Sequence, residues 1–305
     1  MLSRRDFIRR SLQAASLSAF GSLPILDLAS SPVAFAATGA VELSIRKGED
    51  IPALVRETVA ALGGMQRFVK PNETVVLKPN IGWDRTVEQA ANTHPQIVAT
   101  VARLCLEAGA GRVRVFDRTC NDPRRCYVQS GIAAAVEALA DDRVNLEHMD
   151  RRGYQEIGLK DGVALQKWEF YKPALDADRL INLPIAKDHS ISTLTLGMKN
   201  IMGVIGGNRG ILHRNIDQAL ADINSVVHSD LTIIDATRIL IANGPQGGDL
   251  DDVRKLDTLI ASADIVAADS YAATLFGFRP DQIPTIVAGA QRGLGVMDLT
   301  KVQKV

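Results

Sequence analysis

Short apolar runs alternate with amphipathic stretches along most of the chain. Residues 41–46 alternate apolar and polar positions, the pattern of a half-buried strand. Residues 51–62 carry apolar side chains at helical spacing and stop at Gly63-Gly64. The run 74–77 predicts a buried strand that delivers Lys78-Pro79-Asn80 at its C-terminal end. A polar loop through Trp83, Asp84 and Arg85 then leads to His94-Pro95 and a helix reaching Gly109. Strand 113–116 has Asp117 at its tip, a helix covers 131–139, and 144–146 is one more short strand. This alternation predicts an α/β fold, a mostly parallel sheet with helices on both faces. Residues 151–175 break the rhythm: Gly153, Gly158 and Gly162 punctuate short alternating pieces, which predicts a small antiparallel insertion or lid.

The stretch 180–213 concentrates the chemistry. An apolar run from Leu180 to Ile185, closed around Pro184, predicts a buried strand that spills Lys187, Asp188 and His189 into a loop. Leu194, Met198, Ile201 and Ile205 recur at helical spacing, with Ser190, Ser192 and Thr193 as competent N-caps. Gly203, Gly206, Gly207 and Gly210 end that helix and put Asn208, Arg209 and His213 on a glycine-dominated loop. A strand end, a helix N-terminus and the charges of Lys187, Lys199 and Arg209 together favour an anion. The glycines do not form a phosphate loop of the G-x-x-x-x-G-K-S/T kind.

Beyond this stretch come a helix over 216–227, a strand 231–234 ending in Asp235, and the loop Asn243-Gly244-Pro245-Gln246-Gly247-Gly248. A strand at 256–262, a helix at 264–276 carrying Asp269, and a small C-terminal unit at 281–305 complete a single α/β domain over 37–305. Ligands of open α/β sheets sit outside the carboxyl ends of the strands. Lys78, Asn80, Asp117, Lys187, His189 and Asp235 all fall at or just after such ends, so their shared placement predicts one site.

With 46% hydrophobic and 23% charged residues, 24 Gly and 12 Pro in 305 positions, the chain is globular in composition. Its formal charge is zero, which gives no basic field for nucleic acid. The first 36 residues read as an export signal. Ser3-Arg4-Arg5-Asp6-Phe7-Ile8 fits the twin-arginine pattern, an apolar region runs over 11–26, and Ala34-Phe35-Ala36 supplies a small-x-small cleavage site. The expected partners are the twin-arginine translocation machinery and a small anionic ligand, and the expected location is periplasmic or otherwise exported. No other apolar run approaches the roughly 18 residues needed to span a bilayer, so no membrane contact is expected beyond that segment.

Cys105 falls in an apolar helix and reads as a small core residue. Cys120 and Cys126 flank Asn-Asp-Pro-Arg-Arg, and in an oxidising compartment they form either a short disulfide loop or two free thiols. Three cysteines without C-x-x-C spacing do not supply a four-cysteine site, so no iron–sulfur cluster is expected.

Lys78-Pro79-Asn80, Lys187-x-His189, Thr195-x-x-x-Lys199-Asn200 with Gly203, His213, Asp235, Gly244-Pro245-x-Gly247 and Asp269 form a specific set. Through them most of residues 73–295 resembles the domain-of-unknown-function family numbered 362. The resemblance implies an α/β fold and leaves the activity open. Some members of that family carry a ferredoxin-like iron–sulfur segment, which this chain lacks. Asp188 stands where many relatives have a small hydroxyl residue.

Three functions fit these residues. In the first, an exported enzyme acts on a small anionic metabolite or cofactor: Lys78, Lys187, Lys199 and Arg209 hold negative groups and Asn80 and Asn200 orient the ligand. His189 or His213 is then the general acid–base, oriented by Asp235. The second is a metal-dependent enzyme drawing on His94, His189, His213, Asp117, Asp235 and Asp269. The third is a periplasmic binding or accessory protein without catalysis.

Overall fold

A computed structural model describes residues 40–305; the twin-arginine pattern and cleavage site at 1–36 lie outside the described residues. In chain order the strands are β1 (Val41–Lys47), β2 (Thr74–Pro79), β3 (Arg112–Val115), β4 (Val144–Leu146), β5 (Tyr154–Gly158) and β6 (Lys167–Tyr171). They continue with β7 (Arg179–Leu183), β8 (Ile185–His189), β9 (Thr193–Thr195), β10 (Leu231–Leu240), β11 (Val253–Ser262) and β12 (Val302–Lys304). The helices are α1 (Ile51–Ala60), α2 (Pro95–Glu107), α3 (Pro123–Gln129), α4 (Ile132–Glu137) and α5 (Lys172–Asp176). After these come α6 (Gly197–Asn200), α7 (Ile216–Val226), α8 (Ile265–Thr274) and α9 (Pro284–Gln291).

The main sheet runs β12-β1-β11-β10-β7-β2-β3-β4, with β8 beside β10 and β9 beside β8. From β10 to β4 the pairings are parallel, whereas β11 is antiparallel to both β10 and β1. Strand β2 shows why the hydrophobic run is continuous. Val75 and Leu77 pack with Ile97, Val101 and Val113 on one side, and Val76 packs with Leu220, Ile223 and Val266 on the other. Both faces are covered, as parallel sheets require. Each fully buried aliphatic side chain contributes about 1.5–3 kcal/mol of transfer free energy.

Helix starts follow their caps. Asp50 accepts from Ala53 N at 3.1 Å ahead of α1, and His94 Nδ1 accepts from Gln96 N at 3.2 Å ahead of α2. Pro52 and Pro95 occupy first-turn positions where no N–H is needed. Helix α3 lies in a segment whose sequence reads as loop; Asp122 caps it by accepting from Arg124 N at 3.0 Å. β5 and β6 form a separate antiparallel pair, Tyr154 opposite Tyr171, and β12 joins the edge of the main sheet beside β1.

Two expectations for the central stretch change. The polar run Lys187-Asp188-His189 is not a loop but the end of β8, paired parallel to β10 and antiparallel to β9. Polarity hid it, because its charged face lines a cavity instead of a hydrophobic core. The helix expected from Leu194 to Ile205 is divided into β9, the four-residue α6 and a 3₁₀ turn over Ile201–Val204. All four periodic residues are buried, but Thr193, with a left-handed φ of 63°, opens a strand paired with Lys187–His189 instead of a helix. Ser190, Ser192 and Thr193 therefore cap nothing; the cap is the Asp269 carboxylate, which accepts from Gly197 N at 2.6 Å and Met198 N at 2.9 Å.

Candidate functional site

The sheet parts where β2 and β7 end. Their ladder closes at Pro79 opposite Leu183, and Pro184 follows directly. A proline nitrogen donates no ladder bond, and the chain beyond Pro184 swings to the upper half of β10, where Ile185 pairs with Asp235. A cavity of about 600 Å³ opens beside this split, within the range of small-molecule sites. Lys78, Asn80, Lys187, His189, Lys199, Asn200, Arg209 and His213 all line it. Segments more than a hundred residues apart in sequence thus meet, as the strand-end argument anticipates.

The three lysines play different parts. The Lys78 ammonium meets three oxygens, Pro79 O at 2.7 Å, Asn200 Oδ1 at 2.9 Å and Asp117 Oδ1 at 2.9 Å. Lys187 donates to Ala91 O at 2.6 Å and Asn80 Oδ1 at 3.3 Å, which leaves one N–H over. Lys199 has no hydrogen bond or ion pair with any described residue. Burial draws all three pKa values down, Lys187 to about 7 and Lys199 to about 8, with neighbouring cations, Arg209 among them, adding to the shift.

At the cavity floor Asn200 is fully engaged. Asn200 Oδ1 accepts from Lys78 Nζ and from Asn80 Nδ2 at 3.0 Å, while its Nδ2 donates to Lys78 O at 3.0 Å and Asn182 Oδ1 at 2.8 Å. Asn80, Asn200 and Lys78 therefore form the frame on which the freer cations stand. Asp117 completes it: Oδ2 accepts from Ile81 N at 2.7 Å. Gly203 sits so close that a Cβ there would lie 1.8 Å from Asp117 Oδ1 and 2.3 Å from Lys78 Cε, so only glycine fits.

Strand alternation places Lys187 and His189 on the cavity side and turns Asp188 away. Asp188 Oδ2 instead accepts from Gly244 N at 2.9 Å, anchoring the loop that brings Pro245 to the rim. The two histidines stack, ring centroids 5.9 Å apart and planes inclined by 18°. Their protons are arranged oppositely. His189 Nδ1 accepts from Ile191 N at 3.1 Å and Ser192 N at 3.3 Å, so its proton is on Nε2. His213 Nδ1 lies 3.3 Å from Gly210 O, and because a carbonyl only accepts, Nδ1 carries the proton and Nε2 keeps a lone pair. Burial, reinforced by the Lys199 charge, lowers both pKa values, His189 to about 3.

Arg209 reaches the cavity wall, yet most of its guanidinium ties loops together, donating to Arg118 O at 3.0 Å and Thr119 O at 3.0 Å. Two expectations are corrected here. Asp235 does not orient His189 or His213: it is buried away from the lining and accepts from His94 N at 2.8 Å and Thr237 N at 2.9 Å. The helix N-terminus expected to receive an anion already holds one, the Asp269 carboxylate. Nor do the proposed metal ligands converge. Asp235 neighbours His94, Asp117 pairs with Lys78 and Asp269 caps α6, and no group of three His, Cys, Asp or Glu suited to a metal exists among the described residues.

Sequence reasoning passed over Trp83, Cys120 and Met202, which also line the cavity. The sequence presents Cys120 as a disulfide partner or a free thiol, not as a cavity residue. All three cysteines are free: α3 turns Cys126 inward, where its thiol faces Gly82 O at 3.8 Å, while Cys120 is exposed with Arg209 Nη2 at 3.9 Å.

A family model described as a domain of unknown function (DUF362) matches residues 75–274. The chain belongs to this family. The DUF362 match runs from β2 to the end of α8 and so contains every cavity residue named above. The thylakoid-associated protein sll1697 of Synechocystis sp. is 30% identical over 250 residues, which cover 79% of this chain and 75% of that protein. Among solved structures, a Thermotoga maritima protein aligns with a TM-score of 0.47 at 13% identity, over 76% of this chain and 60% of its own. The lactate racemase apoprotein of Thermoanaerobacterium thermosaccharolyticum aligns with a TM-score of 0.48 at 11% identity, over 78% of this chain and 56% of its own. This DUF362 chain thus spans less than two thirds of either solved chain.

Proposed function

We propose that this DUF362 protein is an enzyme that binds a small anionic metabolite or cofactor in the β2–β7 cleft and moves a proton on it. The observation that carries the reading is the meeting, in one cavity, of a lysine without a partner among the described residues and two stacked histidines. Lys199 and the remaining Lys187 N–H attract the negative group; Asp117 is largely neutralised by Lys78. His213 Nε2 accepts a proton, and His189 Nε2–H donates a hydrogen bond without itself becoming charged near neutral pH. This divides the role that the sequence assigned to either histidine.

Mass spectrometry of small molecules released from the purified full chain tests the reading. An anionic compound carried by the wild type and lost from Lys199→Ala supports the pocket. His213→Gln retaining that compound but no longer converting it supports catalysis. A wild type that holds the compound unchanged through prolonged incubation would instead make the protein a carrier. Export is part of the same proposal and rests on the Ser3 to Ile8 pattern; cell fractionation with the arginine pair replaced by lysines checks it.

A further inference from the structure

We infer that Lys199 is an amine nucleophile that condenses with the carbonyl group of a small 2-oxo acid. This deepens the anion-pocket reading and rests on it. The assignment comes from how the fold treats its three cavity lysines. Lys78 meets three oxygens and Lys187 meets two, so the nitrogen of each is tied to the protein with fixed geometry. Lys199 meets none among the described residues, and its half-buried side chain lines the cavity with Lys78 and Arg209 nearby. The Lys78 and Arg209 cations beside it favour the neutral amine, which is the environment that activates lysine as a nucleophile.

The same surroundings select the substrate. A carbonyl compound without charge gains nothing from Lys187, whereas a 2-oxo acid presents its carboxylate to the unused Lys187 N–H while its carbonyl carbon meets Lys199 Nζ. The Nζ lone pair forms the C–N bond as the carbonyl π pair moves to oxygen. The nitrogen proton passes to a base, the role proposed for His213 Nε2 on the same cavity wall, and the oxygen takes a proton, giving a carbinolamine. Protonation of that hydroxyl and departure of water leave an iminium ion, with no oxidant or reductant consumed. The other titratable and charged groups facing Lys199 are Asp117, Cys120 and His189. Asp117 is taken up by Lys78 and the Ile81 N–H, and His189 Nδ1 by two backbone N–H groups.

Borohydride trapping on the full chain tests this, with pyruvate and glyoxylate as probes and peptide mapping as readout. The reduced secondary amine is expected on Lys199 at least about tenfold faster than on the exposed Lys70 or Lys160. Lys199→Arg keeps a long basic side chain and removes the nucleophile, so its trapping should vanish while its thermal unfolding stays near wild type. Added inorganic phosphate should slow trapping on Lys199 but leave Lys70 unaffected. Adduct spread evenly over surface lysines, or none on Lys199, overturns the assignment. Calorimetric titration of pyruvate in parallel separates the two levels. Salt-sensitive binding without an adduct removes the nucleophile alone, whereas neither binding nor adduct counts against the anion pocket as well.

Discussion

Replacing Asp117 by alanine is the sharpest probe of how the cavity frame is held. The carboxylate lies 2.9 Å from Lys78 Nζ, and the two side chains are only 4% and 1% exposed. Its other oxygen accepts the Ile81 N–H at 2.7 Å. Truncation therefore leaves a buried ammonium with two acceptors in place of three, and an orphaned backbone donor. Removing one partner of a buried pair costs about 3–5 kcal/mol, because the remaining charge stays out of water. The unpaired N–H is worth about 1–3 kcal/mol on its own. Lys78 limits the total: burial already draws its pKa down, so it can shed its proton when Asp117 is gone. A loss of about 3–5 kcal/mol in urea unfolding, with an unchanged m-value, is the expected outcome. Adding Lys78→Met removes the stranded charge and should restore about 2 kcal/mol relative to the sum of the single changes. Full recovery is not expected, since Ile81 N remains unpaired. An Asp117→Ala loss below about 1 kcal/mol, or strict additivity with Lys78→Met, would refute the reasoning.

Other outcomes follow from single contacts. Gly203→Ala forces a Cβ to within 1.8 Å of Asp117 Oδ1 and should cost about 3 kcal/mol in chemical denaturation, with the anion-binding frame disturbed. In a nitrogen-detected NMR titration His189 should stay in its Nε2–H neutral form at about pH 5, while His213 titrates below the ordinary histidine value. Because the folded His189 pKa is about 3 and the ordinary value 6.5, its contribution to stability is present above pH 6.5 and is lost as pH falls toward 3. His189→Gln should flatten that part of the acid-side loss in urea midpoints across the window. A thiol reagent such as Ellman's should react promptly with Cys120 in the native protein, and with Cys105 and Cys126 only after unfolding. An oxidised Cys120–Cys126 pair in the purified protein would contradict this.

The sequence exposed the fold and the strand-end residues for a simple reason: a sheet covered on both faces writes itself as Val75-Val76-Leu77 and Leu180-Ile181, and ligand groups follow such runs. Lys78, Asn80, Lys187, His189, Lys199, Asn200, Arg209 and His213 do line one cavity. What stayed hidden was the division of labour among them. Nothing local shows that Lys78 meets Asp117 or that Lys199 meets nothing, since those partners lie at least 39 positions away or do not exist among the described residues. The Leu194 to Ile205 helix failed because true apolar spacing coexisted with a turn at Thr193 and a cap supplied by Asp269, 72 positions from Gly197. Asp235 followed a strand as a ligand would, but its neighbours Thr237 and the His94 N–H absorb it.

Isothermal titration of the full chain with pyruvate, glyoxylate and inorganic phosphate, at low and high salt, tests the central claim most directly. The account predicts that at least one of them binds the wild type, that binding weakens as salt rises, and that Lys199→Ala and Lys187→Met each reduce it about tenfold or more. Absence of salt-sensitive binding by all three, or binding indifferent to both substitutions, would contradict it.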